Sequence, residues 1–184
     1  MSAVDNWNVD DWFPNLDLGQ KVVVAYNGKV ASDLLMNIAL NKYGASRVVL
    51  VYVAINPRAM NLGEYNLQYM SVIECSAAHD CQKIFIDKRH IPNSNERGRE
   101  IDFEQLLVSG ALKSGVSLVD PIVYVGTQKS TLRIGEDTNT DLIKEWDESS
   151  FQKLAIGATL FKAVYPFIDF SNQDVLDLKA KLGF

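Results

Sequence analysis

One short stretch of this chain has the residue types to hold a phosphate: Asn27-Gly28-Lys29-Val30-Ala31-Ser32, directly after the apolar run Val22 to Ala25. Gly28 lets the backbone come close to an anion, Ser32 adds a hydroxyl, and a helix starting here adds the partial positive charge of its N-terminus. Lys29 brings a full cationic charge to the same spot. Such a turn can bind phosphate only if a strand delivers the chain into it and a helix leaves it, because the N–H groups without intrahelical partners belong to the helix's first turn. A single glycine at a strand-to-helix turn is also common where no ligand binds. The surroundings therefore decide between a phosphate loop and a purely structural turn.

Other groups carry thinner signals. Cys75, His79 and Cys81 form a Cys-x-x-x-His-x-Cys array, with Cys75 and His79 one turn apart on an expected helix, as metal ligands can be. No fourth ligand follows at a suitable spacing, and packing is the expected role. His90, beside Arg89, stands in a polar loop, where an imidazole is able to act as an acid or base but is ordinarily solvated. Asp137 and Asp141 lie in an acidic stretch whose default is solvation and whose alternative is metal binding. Lys162, before Ala163-Val164-Tyr165-Pro166, faces either the phosphate side or solvent.

The elements that must position these residues alternate. Val22 to Ala25 is a short continuous apolar run of the kind buried on both faces of a parallel sheet. Leu34, Leu35, Ile38, Ala39 and Leu40 repeat at helical spacing within Ser32 to Tyr43, and Gly44 offers a stop. Arg47 to Ile55 reads as a second buried strand, parallel to the first through a right-handed crossover. A helix from about Tyr65 to Ala78, a strand over Lys83 to Asp87, a long loop over His90 to Gly98, a helix over Ile101 to Ser114 and a strand within Asp120 to Gly126 follow. Thr127 to Glu148 reads as a hydrophilic loop with a short helix near Asp141 to Trp146. A helix is expected from Ser149 to about Leu160, then extended chain over Ala163 to Phe167, then a closing helix over Asn172 to Leu182 capped by Ser171. The fold class is α/β, a doubly wound parallel sheet of about five strands with helices on both faces. Ligands of such sheets bind outside the carboxyl ends of the strands, where strand order reverses.

In that setting the turn after the first strand resembles the PP-loop of the ATP pyrophosphatase (adenine nucleotide alpha-hydrolase-like) superfamily, which reads Ser-Gly-Gly-x-Asp-Ser. Gly28 and Ser32 match, whereas Asn27, Lys29 and Ala31 replace the serine, the second glycine and the aspartate. Along most of the chain the pattern is similar to the 7-cyano-7-deazaguanine synthase family. The similarity runs through Tyr65 to Ala78, Arg97-Gly98-Arg99 before a long helix, the strand ending at Gly126, and Tyr165 to Asn172 with Val175, Leu176 and Leu182-Gly183. It implies a HUP/PP-loop-like fold and ATP, with or without Mg²⁺, as cofactor. The site it implies has Tyr26, Asn27, Gly28, Lys29 and Ser32 at the phosphates, Tyr52 and Val53 near adenine, and Arg99, Gly126 and Lys162 around them. The implied activity is an AMP-forming ligase acting on a deazaguanine carboxylate, so a nucleotide and a deazapurine are the implied small-molecule partners. Ala31 removes a hard oxygen donor for Mg²⁺, for which Lys29 is a partial substitute. A degenerate module of the same fold that binds without turnover is therefore the alternative, and a structural subunit a third reading. Zinc is not expected, because the family's four-cysteine cluster would begin where this chain stops, at Phe184.

Bulk properties narrow the partners. The net charge of −5 and the scattered basic residues lack the electrostatic term that drives nucleic-acid binding. No apolar run reaches eighteen residues and the N-terminus has no basic start, so neither membrane spanning nor secretion is expected and the cytoplasm is the expected location. Two cysteines fit reduced thiols. Residues 1–18 read as an acidic, aromatic arm before a nucleotide-binding domain over 19–184. Trp7, Trp12 and Phe13 of that arm either pack back onto the domain or form a strip for a protein partner or a second copy.

Overall fold

The computed structural model describes residues 3–54, 62–87, 111–112, 116, 118–128, 151–156 and 159–184. In chain order the elements among the described residues are α1 (Val9–Trp12), β1 (Val22–Ala25), α2 (Val30–Tyr43), β2 (Val48–Ala54), α3 (Leu62–Ala77), β3 (Gln82–Asp87), β4 (Ile122–Tyr124), β5 (Phe151–Ile156), β6 (Thr159–Val164) and α4 (Asn172–Leu182), with a 3-10 turn at Ala45–Arg47.

The four residues of β1 are all buried, and the strand's period of two sends Val22 and Val24 into one apolar cluster and Val23 and Ala25 into another. A strand with both faces covered belongs in the middle of a sheet, and β1 occupies the middle of the order β3-β2-β1-β4-β6-β5. It pairs in parallel with β2 (Val22 opposite Val48) and with β4 (Val22 opposite Ile122). β3 and β6 extend the parallel set on either side. The chain thus moves outward from β1 through β2 and β3 and then returns to the other side of β1, which makes the carboxyl end of β1 the point where strand order reverses.

One face carries α2, Val72 of α3 and Val175 and Leu178 of α4, in a cluster with Leu34, Leu35, Met36 and Ile38. Ala111, within the two described helical residues 111–112, packs with Val116 into the cluster on the other face. Gly44 ends α2 at φ +81, a backbone conformation glycine adopts without the Cβ clash. α4 starts at the expected cap: Ser171 and Asp174 form a reciprocal capping box, and Gly183 closes the helix in the left-handed region. Asp174 accepts from the Ser171 hydroxyl and backbone N–H, which holds its carboxyl below the ordinary carboxylate range.

One expected helix is absent. Ser149 to Leu160 was expected to be helical, but Phe151–Ile156 and Thr159–Val164 are two antiparallel strands, with Phe151 opposite Val164 and Ile156 opposite Thr159. Phe151, Leu154, Ala155 and Ala158 fit a helical spacing as well as a strand, so periodicity alone cannot separate the two. The backbone of β6 decides it: paired to β4 on one side, it offers a second edge that β5 fills. The expected helix over Ile101–Ser114, apart from 111–112, and the stretch 129–148 lie outside the described residues.

The arm packs back onto the domain. Phe13 is fully buried and stacks on Tyr124, with ring centroids 4.3 Å apart and planes at 10°. The Tyr124 hydroxyl donates to the Trp12 carbonyl at 2.9 Å and the Tyr43 hydroxyl to the Pro14 carbonyl at 2.7 Å. Burial pushes both phenol pKa values above the ordinary range. Trp7 is buried, its Nε1–H donates to the Pro166 carbonyl at 3.3 Å, and Lys181 of α4 donates to the Val4 carbonyl. Trp7 and Phe13 are therefore core residues rather than part of a free aromatic strip. Among the described residues no helix is long and apolar enough to cross a membrane.

Candidate functional site

The turn Asn27–Lys29 leaves β1 at its carboxyl end and enters α2. Tyr26 prolongs the strand by one residue, its N–H donating to the Val51 carbonyl at 3.0 Å. Gly28 has φ +74, in the left-handed region, so the reversal needs glycine or a residue that tolerates that conformation. α3 roofs the turn, because a Cβ on Gly28 would lie 3.4 Å from Cγ2 of Val72. From the far side Gly126, two residues beyond β4, closes on the start of α2. A Cβ there would lie 3.2 Å from the Ala31 carbonyl carbon and from the Ser32 nitrogen. The turn is thus clasped between α3 and the end of β4, the adjacent strand.

The turn's polar groups converge on one oxygen. Asn27 Oδ1 accepts the Lys29 N–H at 3.0 Å and lies 2.7 Å from the Ser32 hydroxyl. Ser32 also lies 3.0 Å from the Lys29 carbonyl, and its oxygen accepts the Asn27 N–H at 3.2 Å. Ser32 is buried, whereas Asn27 and Lys29 are exposed. Lys29 occupies the N-cap position of α2 but makes no capping bond with its side chain, leaving the ammonium to the solvent side of the turn. Asp33 in the first turn of α2 is paired with Lys179 of α4 at 3.3 Å. The arrangement is a small set of donors gathered around a single acceptor, with a cation and a helix start beside it, which suits an anionic oxygen.

Of the residues expected at a nucleotide, Tyr26, Asn27, Gly28, Lys29, Ser32 and Gly126 come together here. Tyr52 and Val53 reach the carboxyl end of the neighbouring β2, where Tyr52 is buried in the same cluster as Tyr26 and Val72. Lys162 does not join them. It pairs with Ile122 at the start of β4, level with Val22, so it lies at the amino ends of the strands. The turn begins five residues farther along β1, roughly 16 Å at about 3.3 Å per residue. The strand register, invisible in the local sequence, sets that end. Arg99, His90, Asp137 and Asp141 lie outside the described residues.

Val72 and Ser71 of α3, which lie against Gly28, carry no sequence signal as site residues. The side chain of Cys75, in the Cys75-x-x-x-His79-x-Cys81 array, lies outside the described residues. Cys81 packs against the core, burial raises its thiol pKa, and the Cys81 and His79 carbonyls accept from Lys83.

No family model matches the sequence, and no curated protein matches it. The fold is shared with solved structures. The U34-tRNA thiolase of Methanococcus maripaludis, solved with its [4Fe-4S] cluster, superposes with a TM-score of 0.56 at 12% identity over 95% of this chain and 60% of its own. The NH3-dependent NAD synthetase of Campylobacter jejuni gives 0.52 at 14% identity over 90% of this chain and 65% of its own. The glutamine-dependent NAD+ synthetase of Acinetobacter baumannii, in complex with ADP, gives 0.50 at 17% identity over 89% and 28%. This chain spans less than two thirds of the length of each. The class defined by fold and strand order is the HUP/PP-loop-like α/β fold.

Proposed function

We propose that this protein binds ATP, with its phosphates at the turn after β1 and its adenine toward Tyr52 and Val53 at the end of β2. One observation carries the reading: the Lys29 N–H and the Ser32 hydroxyl converge on a single oxygen, that of Asn27, at the point where strand order reverses. A phosphate oxygen fits the same place once the Asn27 side chain turns outward, and the Lys29 ammonium then neutralises its charge. The ADP complex of the Acinetobacter baumannii enzyme supports a nucleotide as ligand of this fold.

The finer reading is an AMP-forming ligase acting on a deazaguanine carboxylate. In that reaction a carboxylate oxygen attacks the α-phosphorus of ATP, a new O–P bond forms, the bond to the bridging oxygen breaks, and pyrophosphate leaves. The second reading is binding without turnover. It is favoured by Ala31, which offers no carboxylate to Mg²⁺, and by loop donors already satisfied by Asn27.

Calorimetric titration with ATP and AMP, with and without Mg²⁺, tests the site. The Gly28→Asp variant sets a carboxylate on the donors and is expected to abolish binding, and Lys29→Ala to weaken it. ATP-to-pyrophosphate exchange in the presence of deazaguanine carboxylates then separates the two readings. Exchange supports the ligase, and binding with no exchange supports the module. Absence of binding by any nucleotide sinks both.

A further inference from the structure

Asn27 is the one asparagine of the chain that a glycine follows. In such a pair the glycine's backbone nitrogen can close a succinimide ring on the asparagine's side-chain carbon, because no Cβ on the glycine stands in the way. The fold supplies what that reaction needs. The 3.0 Å bond from the Lys29 N–H to Asn27 Oδ1 reaches two residues on, and so folds the Asn27 side chain back over its own peptide bond to Gly28. Among the described residues no hydrogen bond engages the Gly28 N–H, which belongs to the attacking nitrogen. Asn27 is exposed, so water and hydroxide reach the amide.

The amide oxygen is prepared as well. The Ser32 hydroxyl lies 2.7 Å from Asn27 Oδ1, beside the Lys29 N–H, so two donors stand where negative charge develops when the side-chain carbonyl is attacked. Donors fixed in advance around such an oxygen lower the barrier to acyl transfer. The start of α2 adds its partial positive charge. Asn37 shows the contrast. It lies inside α2, its Nδ2 donates to the Asp33 carbonyl at 3.0 Å, and the next nitrogen, that of the β-branched Ile38, belongs to the helix ladder.

We propose that Asn27 is a site of spontaneous deamidation, a covalent change that the turn after β1 promotes. Hydroxide takes the Gly28 N–H proton, the nitrogen bonds to Asn27 Cγ, and the Cγ–Nδ2 bond breaks, the nitrogen leaving as ammonia with a proton from water. Water then opens the ring at either carbonyl and leaves aspartate or isoaspartate at position 27, with nothing oxidised or reduced. Both products set a carboxylate against the turn's donors, so its fitness for an anion is lost. The chemistry needs no ligand and does not rest on the nucleotide reading.

The test is incubation of the purified full chain in ¹⁸O-water, in mildly alkaline and mildly acidic buffer, followed by peptide mass mapping that separates aspartyl from isoaspartyl forms. The label tells conversion in the native chain from conversion during digestion. Label is expected at position 27 in both isomers, sooner in alkali, with Asn37 unchanged. The urea-unfolded chain and the Ser32→Ala variant are each expected to convert several-fold more slowly than the folded wild type. The comparison of folded with unfolded wild type stands even where Ser32→Ala does not fold. No conversion at Asn27, aspartate without isoaspartate, or a folded chain that converts no faster than the unfolded one overturns the proposal. An unaltered rate in folded Ser32→Ala overturns the part given to its hydroxyl.

Discussion

Phe13, in the N-terminal arm, is fully buried against Tyr124, whereas Lys29, in the turn after β1, is exposed. The arm is tied by ring stacking and by hydrogen bonds to β4, α2 and α4 and to the turn after β6, so its contribution is to stability. The turn is tied mainly to itself, through Asn27 and Ser32, and holds donors that a ligand is able to take over. The contrast teaches that holding the fold and offering a site fall to different stretches of this chain. Changes in one should leave the other nearly untouched.

The largest effect expected from that separation is in the arm. Phe13→Ala should cost about 3–5 kcal/mol of stability, read from the denaturant midpoint, because a fully buried ring leaves a cavity. ATP affinity of the folded protein should be unchanged, and a stability loss below about 1 kcal/mol would break the comparison.

Gly126→Ala probes the one place where both demands meet. Its new Cβ would press on the Ala31 and Ser32 backbone at 3.2 Å, so a loss of about 1–3 kcal/mol should come together with weaker nucleotide binding. Unchanged binding would show that the start of α2 tolerates displacement.

At the turn itself, Asn27→Ser removes the oxygen that satisfies Lys29 and Ser32. It should tighten ATP binding by about 1 kcal/mol, roughly fivefold by calorimetry. Melting should shift by no more than about 0.5 kcal/mol in stability. Looser binding would mean that Asn27 is itself a ligand to the nucleotide.

The smallest effect is expected at the cap of α4. The carboxyl of Asp174 has a pKa held below its unfolded value, so its stabilisation is complete above the ordinary carboxylate range and is lost as pH falls through the folded-state pKa. Wild type should therefore exceed Asp174→Asn in stability near neutrality, and the two should converge in acid. A difference that persists in strong acid would assign the effect to something other than the charge.

What could be read in advance was local. Val22 to Ala25 declares a doubly covered strand in four letters, and Ser171 with Asp174 declares a helix start in four more. The turn after β1 was legible for the same reason, since strand, glycine and helix follow one another directly. The strand pair β5 and β6 was not, because Phe151 to Ile156 suits either periodicity and only an edge elsewhere in the sheet decides. Which end of the sheet Lys162 occupies cannot be read from the sequence, because register is a property of paired strands. The fate of Trp7 depends on Pro166, a partner 159 positions away, and no window of sequence contains both. Asn27's grip on Lys29 is a short-range bond that asparagine often makes to the N–H two residues on, so it was within reach of sequence reasoning.

That separation of 159 positions also bears on how the chain is made. During synthesis the arm emerges before its partners: the Trp12 carbonyl waits for Tyr124, and Trp7 waits for the segment after β6. At typical elongation rates of 5–20 residues per second the interval is roughly ten to thirty seconds. For that time Trp7, Trp12 and Phe13 travel on a nascent chain without the surfaces that bury them. The aspartates set among them give the waiting segment a net negative charge, which opposes its association with other copies of itself.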